Sequence, residues 1–150
     1  MSSLASQLNR KRVIVVTPPT PDTDSSHTPS IVTVTMNPAL DIATSADVVM
    51  PTDKIRCDSA RYDPGGGGIN VARVAHALGA KVVAMFPAGG ASGDLVTEML
   101  DAMGLPFRRI RIVVPTRESF TVNECSTERQ YRFVLPGAAL SVTEQEECLD

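Results

Sequence analysis

The chain has 150 residues, 43% of them hydrophobic, and a formal net charge of −3, which is enough for one domain with a real core. No basic excess and only 4% aromatic residues argue against a nucleic-acid partner, and no apolar run approaches the ~20 residues needed to span a bilayer. Cys57, Cys125 and Cys148 are odd in number and lack C-x-x-C spacing, which reads as a reduced, cytoplasmic protein without structural zinc.

Residues 1–30 differ from the rest. Residues 17–30 are dense in Pro, Thr, Ser and Asp, which predicts a disordered leader. Residues 13–16 are too short for the apolar core of a signal peptide. Arg10, Lys11 and Arg12 hint at organelle targeting, but Asp22 and Asp24 and the lack of an amphipathic helix oppose it. From Ile31 the pattern is globular. The β-branched run 31–36 predicts a buried strand, ended by Asn37-Pro38. Residues 46–49 and 55–62 read as two half-exposed extended segments.

Next comes Pro64-Gly65-Gly66-Gly67-Gly68-Ile69-Asn70-Val71. Glycine tolerates positive φ and lets main-chain N–H groups come close to a ligand. Val71, Val74, Ala75 and Leu78 recur at helical spacing, and Gly79 stands where a C-terminal cap belongs. A glycine turn feeding a helix start offers unpaired N–H groups and the positive end of the helix dipole, which suits a hydroxyl-rich or anionic ligand. Asn70 adds an amide that both donates and accepts. By itself the run also fits a flexible surface loop before an ordinary helix. It is not a Walker A loop, since G-x-x-x-x-G-K-[ST] is missing, and it lacks the G-x-G-x-x-G spacing of a dinucleotide turn.

Residues 81–86 predict another buried strand and residues 87–91 a loop. Leu95, Val96, Met99, Leu100 and Met103 mark a second amphipathic helix, closed by Gly104-Leu105-Pro106. Strand, crossover helix, strand, helix implies a parallel sheet covered by helices. The grammar then changes. Residues 110–114, 119–124 and 130–135 are short alternating segments that predict an antiparallel meander with one wet face. Ser141-Val142-Thr143-Glu144 is a capping box. Its helix runs to Asp150 without a stop signal, the expectation for a truncated chain.

Taken in order, these residues resemble the N-terminal half of a PfkB-type, ribokinase-family sugar kinase, in its ATP-dependent 6-phosphofructokinase branch. The resemblance rests on Thr33-Val34-Thr35-Met36-Asn37-Pro38-Ala39-Leu40-Asp41, Lys54-Ile55-Arg56-Cys57 and Pro64 through Arg73. It continues with Phe86-Pro87-Ala88-Gly89-Gly90, Thr116-Arg117-Glu118-Ser119, Gln130-Tyr131-Arg132-Phe133-Val134 and Pro136-Gly137-Ala138. It spans roughly residues 31–150. It implies an α/β fold, a Rossmann-like parallel sheet with flanking helices plus a small antiparallel β lid, truncated here. Lid segments are expected near 46–62 and 110–135, with a homodimer formed through the lid.

The resemblance also implies roles. Asp41, placed at the carboxyl end of the first strand, would grip sugar hydroxyls; its bland alternative is a turn residue after Asn-Pro. Gly65, Gly66, Gly67 and Asn70 would line the sugar. Arg117 would clamp the sugar's phosphate with a planar fork of donors, unless it is a solvated lid residue. Lys54 would approach phosphates, while Arg56 and Arg132 fit lid structure equally well. ATP and Mg2+ are the implied cofactors and a phosphosugar the implied substrate: fructose 6-phosphate, with tagatose 6-phosphate and fructose 1-phosphate as alternatives. The family's Gly-Ala-Gly-Asp motif, with its catalytic base and anion hole, does not occur in these residues. Gly90-Ala91-Ser92-Gly93-Asp94 imitates it with the wrong spacing, so Asp94 reads as an acid in a helix's first turns. Two other readings stand beside the kinase: a non-catalytic fragment, and a lid-mediated binding module.

Overall fold

The computed structural model describes residues 31–137 and 139–148. In chain order it runs β1 (Ile31–Val34), β2 (Ala39–Ala46), β3 (Arg61–Gly65), α1 (Gly67–Ala77) and β4 (Val82–Ala88). Then follow α2 (Gly90–Ala102), β5 (Phe107–Arg111), β6 (Arg117–Glu124), β7 (Arg129–Val134) and α3 (Val142–Glu147). The leader expected over residues 1–30 lies outside the described residues.

Strands β1, β4 and β5 form a parallel sheet in the order β1-β4-β5. Side chains alternate across a strand, so Val82, Ala84, Phe86 and Ala88 share one face, and all four are buried. They form one core with Ile69 and Ala72 of α1 and Val96 and Leu100 of α2. Phe86 meets Phe107 with ring centroids 5.8 Å apart, within the range where aromatic pairs attract. Crossover helix α1 packs on β1 and β4, as the βαβ pattern predicts, whereas α2 packs on β2 and β3.

The second sheet has the order β3-β2-β6-β7. Its outer pairs, β2 with β3 and β6 with β7, are antiparallel, and the central pair β2 with β6 is parallel. This sheet takes the place of the expected lid, and its strands begin and end at other residues than the segments read from the sequence. The first lid strand starts at Ala39, directly after Asn37-Pro38, and residues 47–60 contain no strand. The sequence Ala-Leu-Asp-Ile-Ala-Thr-Ser-Ala over β2 dilutes the two-residue alternation with small side chains, which hides it. The segment around residues 110–114 is not a lid strand. Its first residues end β5, which pairs with β4 in the core sheet. Three arginines in Phe107–Arg111 disguise a core strand as a surface one.

Three further expectations change. The predicted loop 87–91 shrinks to Gly89, because β4 runs through Ala88 and α2 begins at Gly90. β1 is not fully buried: among the described residues it is an edge strand of the β1-β4-β5 sheet, and Val32 and Val34 are exposed. The inward face of α1 carries Ile69, Ala72 and Ala75, leaving Val71, Val74 and Leu78 at 57%, 61% and 82% exposure. Helix rotation is fixed at its start, where the Ile69 N–H donates to the Thr35 hydroxyl at 2.9 Å. Gly79, at φ 83°, closes α1 as expected. The capping box of α3 is present, with the Ser141 N–H donating to Glu144 at 2.7 Å and the Glu144 N–H to Ser141 Oγ at 3.3 Å.

Candidate functional site

The glycine turn and the lid meet at Asp41. Asp41 does not end the first strand; it is the third residue of β2, half-buried, with Asp63 of β3 and Ser119 of β6 as its neighbours in register. A Cβ placed on Gly65 would lie 2.6 Å from the Asp41 carboxyl carbon, so only glycine lets that carboxylate rest over the backbone. Gly66 turns the chain from β3 into α1 at φ 124°, a conformation that L-side chains rarely adopt. The Asn70 N–H closes the first helical turn on the Gly66 carbonyl at 2.9 Å. Beside Gly67 the chain leaves free space, for a Cβ there would meet nothing within 4 Å.

The lid's two faces have opposite chemistry. One row reads Arg61, Ala43, Thr121, Arg132 across the four strands, next to the row that holds Asp63, Asp41 and Ser119. The other face carries Tyr62, Ile42, Phe120 and Phe133 in register. On the polar side a cavity of about 500 Å³ is lined by Asp41, Ala43, Arg61, Asp63, Asn70, Arg73, Thr121, Asn123, Gln130 and Arg132, with Ile42 and Pro64. The structure thus brings Asp41 and Asn70 together. Arg61, Asp63, Arg73, Thr121, Asn123 and Gln130 were not given a site role from sequence; the signal for all but Arg73, which lies on α1, is the polar residue at every second position on the paired lid strands.

Charges inside the cavity are partly spent. Asp63 takes an ion pair from Arg61 at 2.9 Å and a longer one from Arg73 at 3.7 Å. Among the described residues, Asp41 and Arg132 have no ion-pair partner.

Arg117 opens β6 and does not line this cavity. Its Nη1 donates to Ser119 Oγ at 3.3 Å and to the Leu135 carbonyl at 3.4 Å, and its Nη2 to the Asn37 carbonyl at 3.3 Å. Its Nε is buried without a partner among the described residues. Arg117 therefore sits at the seam between lid and core. Lys54 and Arg56 are exposed in the irregular segment 47–60, away from the cavity lining. Asp94 is committed elsewhere: its carboxylate pairs with Arg109 Nη1 at 2.6 Å, and Arg109 also donates to the Ala88 carbonyl at 3.0 Å.

Lid geometry depends on Glu124, a buried acid at the end of β6. It accepts from the Thr127 hydroxyl, the Val49 N–H at 2.7 Å and the Tyr131 hydroxyl at 3.3 Å. The Thr127 hydroxyl first, then the Val49 amide, hold its carboxyl below the usual range. One side chain thus ties the start of segment 47–60, the β6–β7 turn and β7.

Residues 34–149 match the pattern of the pfkB family carbohydrate kinases. The chain is 64% identical over 122 residues to the ATP-dependent 6-phosphofructokinase isozyme 2 of Mycobacterium tuberculosis, covering 81% of this chain and 36% of that protein. It is 34% identical over 121 residues to the 1-phosphofructokinase of Haloferax volcanii, covering 80% and 39%. The crystal structure of phosphofructokinase-2 from Escherichia coli in complex with fructose-6-phosphate superimposes with a TM-score of 0.76 at 40% identity, over 79% of this chain and 39% of that one. The chain spans a little over a third of the length of the curated relatives it matches.

Proposed function

Because the chain belongs to the pfkB family of carbohydrate kinases, we propose that these residues form the phosphosugar-binding part and lid of an ATP-dependent 6-phosphofructokinase. The observation that carries the reading is the cavity where Asp41 and Asn70 meet under the lid, beside a glycine turn that leaves room at Gly67. Asp41 accepts hydrogen bonds from sugar hydroxyls, Asn70 and the turn line the ring, and Arg117 clamps the phosphate. For that clamp Arg117 trades its carbonyl partners for phosphate oxygens, a stronger, charge-assisted set. Lys54 approaches the phosphates if segment 47–60 folds inward.

In the reaction, the free primary hydroxyl of fructose 6-phosphate attacks the γ-phosphorus of ATP, ADP leaves, and the hydroxyl proton passes to a base. Asp94 is no candidate for that base, because its carboxylate is held by Arg109. The nucleotide belongs to this reading by family. So does Mg2+, but among the described residues no three acidic, histidine or cysteine side chains converge to hold a metal. Fructose 1-phosphate is the second substrate reading, favoured by the likeness to the Haloferax protein.

The lid's other face supports a homodimer. Tyr62, Phe120 and Phe133 are exposed and aligned across the strands, and aromatic residues dominate the buried centres of interfaces. The same face serves the binding-module reading. No helix in the described residues is long and apolar enough to cross a membrane, and the free cysteines favour the cytoplasm.

The test is equilibrium binding of fructose 6-phosphate to the 150-residue chain, beside a coupled assay for ADP release. Wild type should bind, and Asp41→Asn should weaken binding roughly tenfold or more. Turnover by these residues alone should be absent, since the family's base motif is not among them. A chain that binds no phosphosugar, or an Asp41→Asn variant that binds like wild type, removes the reading.

A further inference from the structure

Resting on the phosphosugar reading, we propose that Thr35 is a positioning residue of the site: from the end of β1 it caps α1, so that the Gly67 and Gly68 amides stay free for the sugar. The first argument is the missing local cap. The first N–H groups of a helix have no intrahelical partner, and the side chain just before the helix, usually Ser, Thr, Asp or Asn, takes one of them. α1 has Gly66 at that place, with no side chain to do so. The Asn70 N–H bonds back to the Gly66 carbonyl at 2.9 Å, and the Ile69 N–H donates to Thr35 Oγ1, also at 2.9 Å. Among the described residues, the Gly67 and Gly68 N–H groups between them have no acceptor.

The second argument is steric. A local cap cannot stand at position 66, because the turn there has φ 124° and a Cβ on Gly66 would collide with the Thr35 methyl group. A Cβ on Gly68 would come within 2.6 Å of Thr35 Oγ1 and 2.5 Å of the Val34 carbonyl oxygen. Two glycines thus seat the start of α1 directly on the end of β1, within reach of one hydroxyl.

The third argument is where Thr35 is anchored. It is 6% exposed, and its own N–H bonds to the Met85 carbonyl at 2.9 Å. The core sheet therefore fixes the hydroxyl, independently of the turn it holds. Thr35 does not line the cavity, whereas Asn70, one residue beyond Ile69, does. Thr35 acts on the ligand through the turn it orients: the two glycine amides at the positive end of α1, and the Asn70 side chain that moves with them.

The test uses the whole isotope-labelled 150-residue chain, titrated with fructose 6-phosphate and followed by amide NMR, with affinities from equilibrium dialysis. Wild type is compared with Thr35→Val, Thr35→Ser and the α2 core variant Val96→Ala, at a temperature where all are folded. In wild type the ligand should move the Gly67 and Gly68 amide resonances and leave the Ile69 amide, already protected from exchange, nearly in place. Thr35→Val keeps the shape and removes the acceptor, so affinity should fall roughly tenfold. Thr35→Ser keeps the acceptor and should stay within about threefold of wild type, and Val96→Ala, the stability control, should bind like wild type. Wild-type affinity in Thr35→Val, or a Thr35→Ser as weak as Thr35→Val, overturns the proposal and leaves the phosphosugar reading standing. Equal weakening of Thr35→Val and Val96→Ala marks Thr35 as a structural residue only and also overturns it. If Thr35→Val does not fold, the wild-type titration decides: a ligand that moves Ile69 and not Gly67 and Gly68 overturns the assignment. If wild type binds no fructose 6-phosphate, the proposal falls together with the functional reading.

Discussion

At the glycine turn, neighbouring glycines carry different constraints. Gly65 yields to the Asp41 carboxylate, so Gly65→Ala drives a methyl group into it and should destabilise the fold by about 1–3 kcal/mol. Gly67 faces open space, so Gly67→Ala should leave the melting temperature nearly unchanged and lower phosphosugar affinity instead. Thermal melts and ligand titrations of both variants separate the two; equal destabilisation would show that the space at Gly67 is not held for a ligand. Arg117 makes a second case. Its donors join the Asn37 and Leu135 carbonyls across the seam between lid and core, and a bidentate phosphate contact would contribute on the order of 2–4 kcal/mol. In a chain completed with a family C-terminal half, Arg117→Ala should raise KM for fructose 6-phosphate by roughly one to three decades, with ATP binding little changed. An unaltered KM would leave Arg117 as a seam residue only.

Elements were legible wherever a single period dominated their residues. The α2 pattern of Leu95, Val96, Met99 and Leu100 gave the helix that forms, with Val96 and Leu100 fully buried, and the capping box at Ser141 opened α3 where it was read. Pairing partners were not legible, because a strand's own residues do not say which edge it joins. β5 carries lid-like charge yet completes the core sheet, and β2 is too rich in alanine to show its alternation. The rotation of α1 was hidden for a related reason: small Ala72 and Ala75 pack close to the sheet while larger valines look outward. Two residues of the cavity lining, Asp41 and Asn70, were picked out from local motifs, whereas Glu124 was not, because its hydrogen bonds depend on the lid being assembled. Glu124 sets a pH dependence. Its folded carboxyl titrates below the ordinary value of about 4.3, so the unfolded chain binds more protons between the two values. The stabilisation is full above the ordinary value and is lost as pH falls through the folded one. Glu144, held by the Ser141 backbone N–H first, has the same sign. Hydrogen exchange at the Val49 amide should therefore accelerate as the solution is acidified through that window, and Glu124→Gln should flatten the response. Exchange at Val49 that ignores pH beyond the intrinsic chemical rate would refute the latch.

For the whole molecule, the balance between buried and exposed apolar surface decides behaviour in solution. α1 shows Val71, Val74 and Leu78 on one helical stripe, and β1, an edge strand of the described core sheet, shows Val32 and Val34. An edge with unpaired backbone groups and apolar side chains is a template for association. Covering one such side chain yields about 1.5–3 kcal/mol, so a few of them compete with the whole net stability of a domain, about 5–15 kcal/mol. The 150-residue chain should therefore self-associate beyond the proposed lid dimer as its concentration rises, and should bind an apolar dye while folded. Two sets of variants resolve the contributions. Val74→Lys with Leu78→Lys should lower the higher-order species and the dye signal, because neither side chain is part of the core. Phe133→Asp, on the lid's aromatic row, should weaken the proposed lid dimer and leave the higher-order tendency in place. Sedimentation velocity over a hundredfold concentration range reads both effects. A monodisperse species with no dye binding and a sharp cooperative melt would mean that the α1 stripe and the β1 edge are already protected, and would refute this account of the molecule's surface.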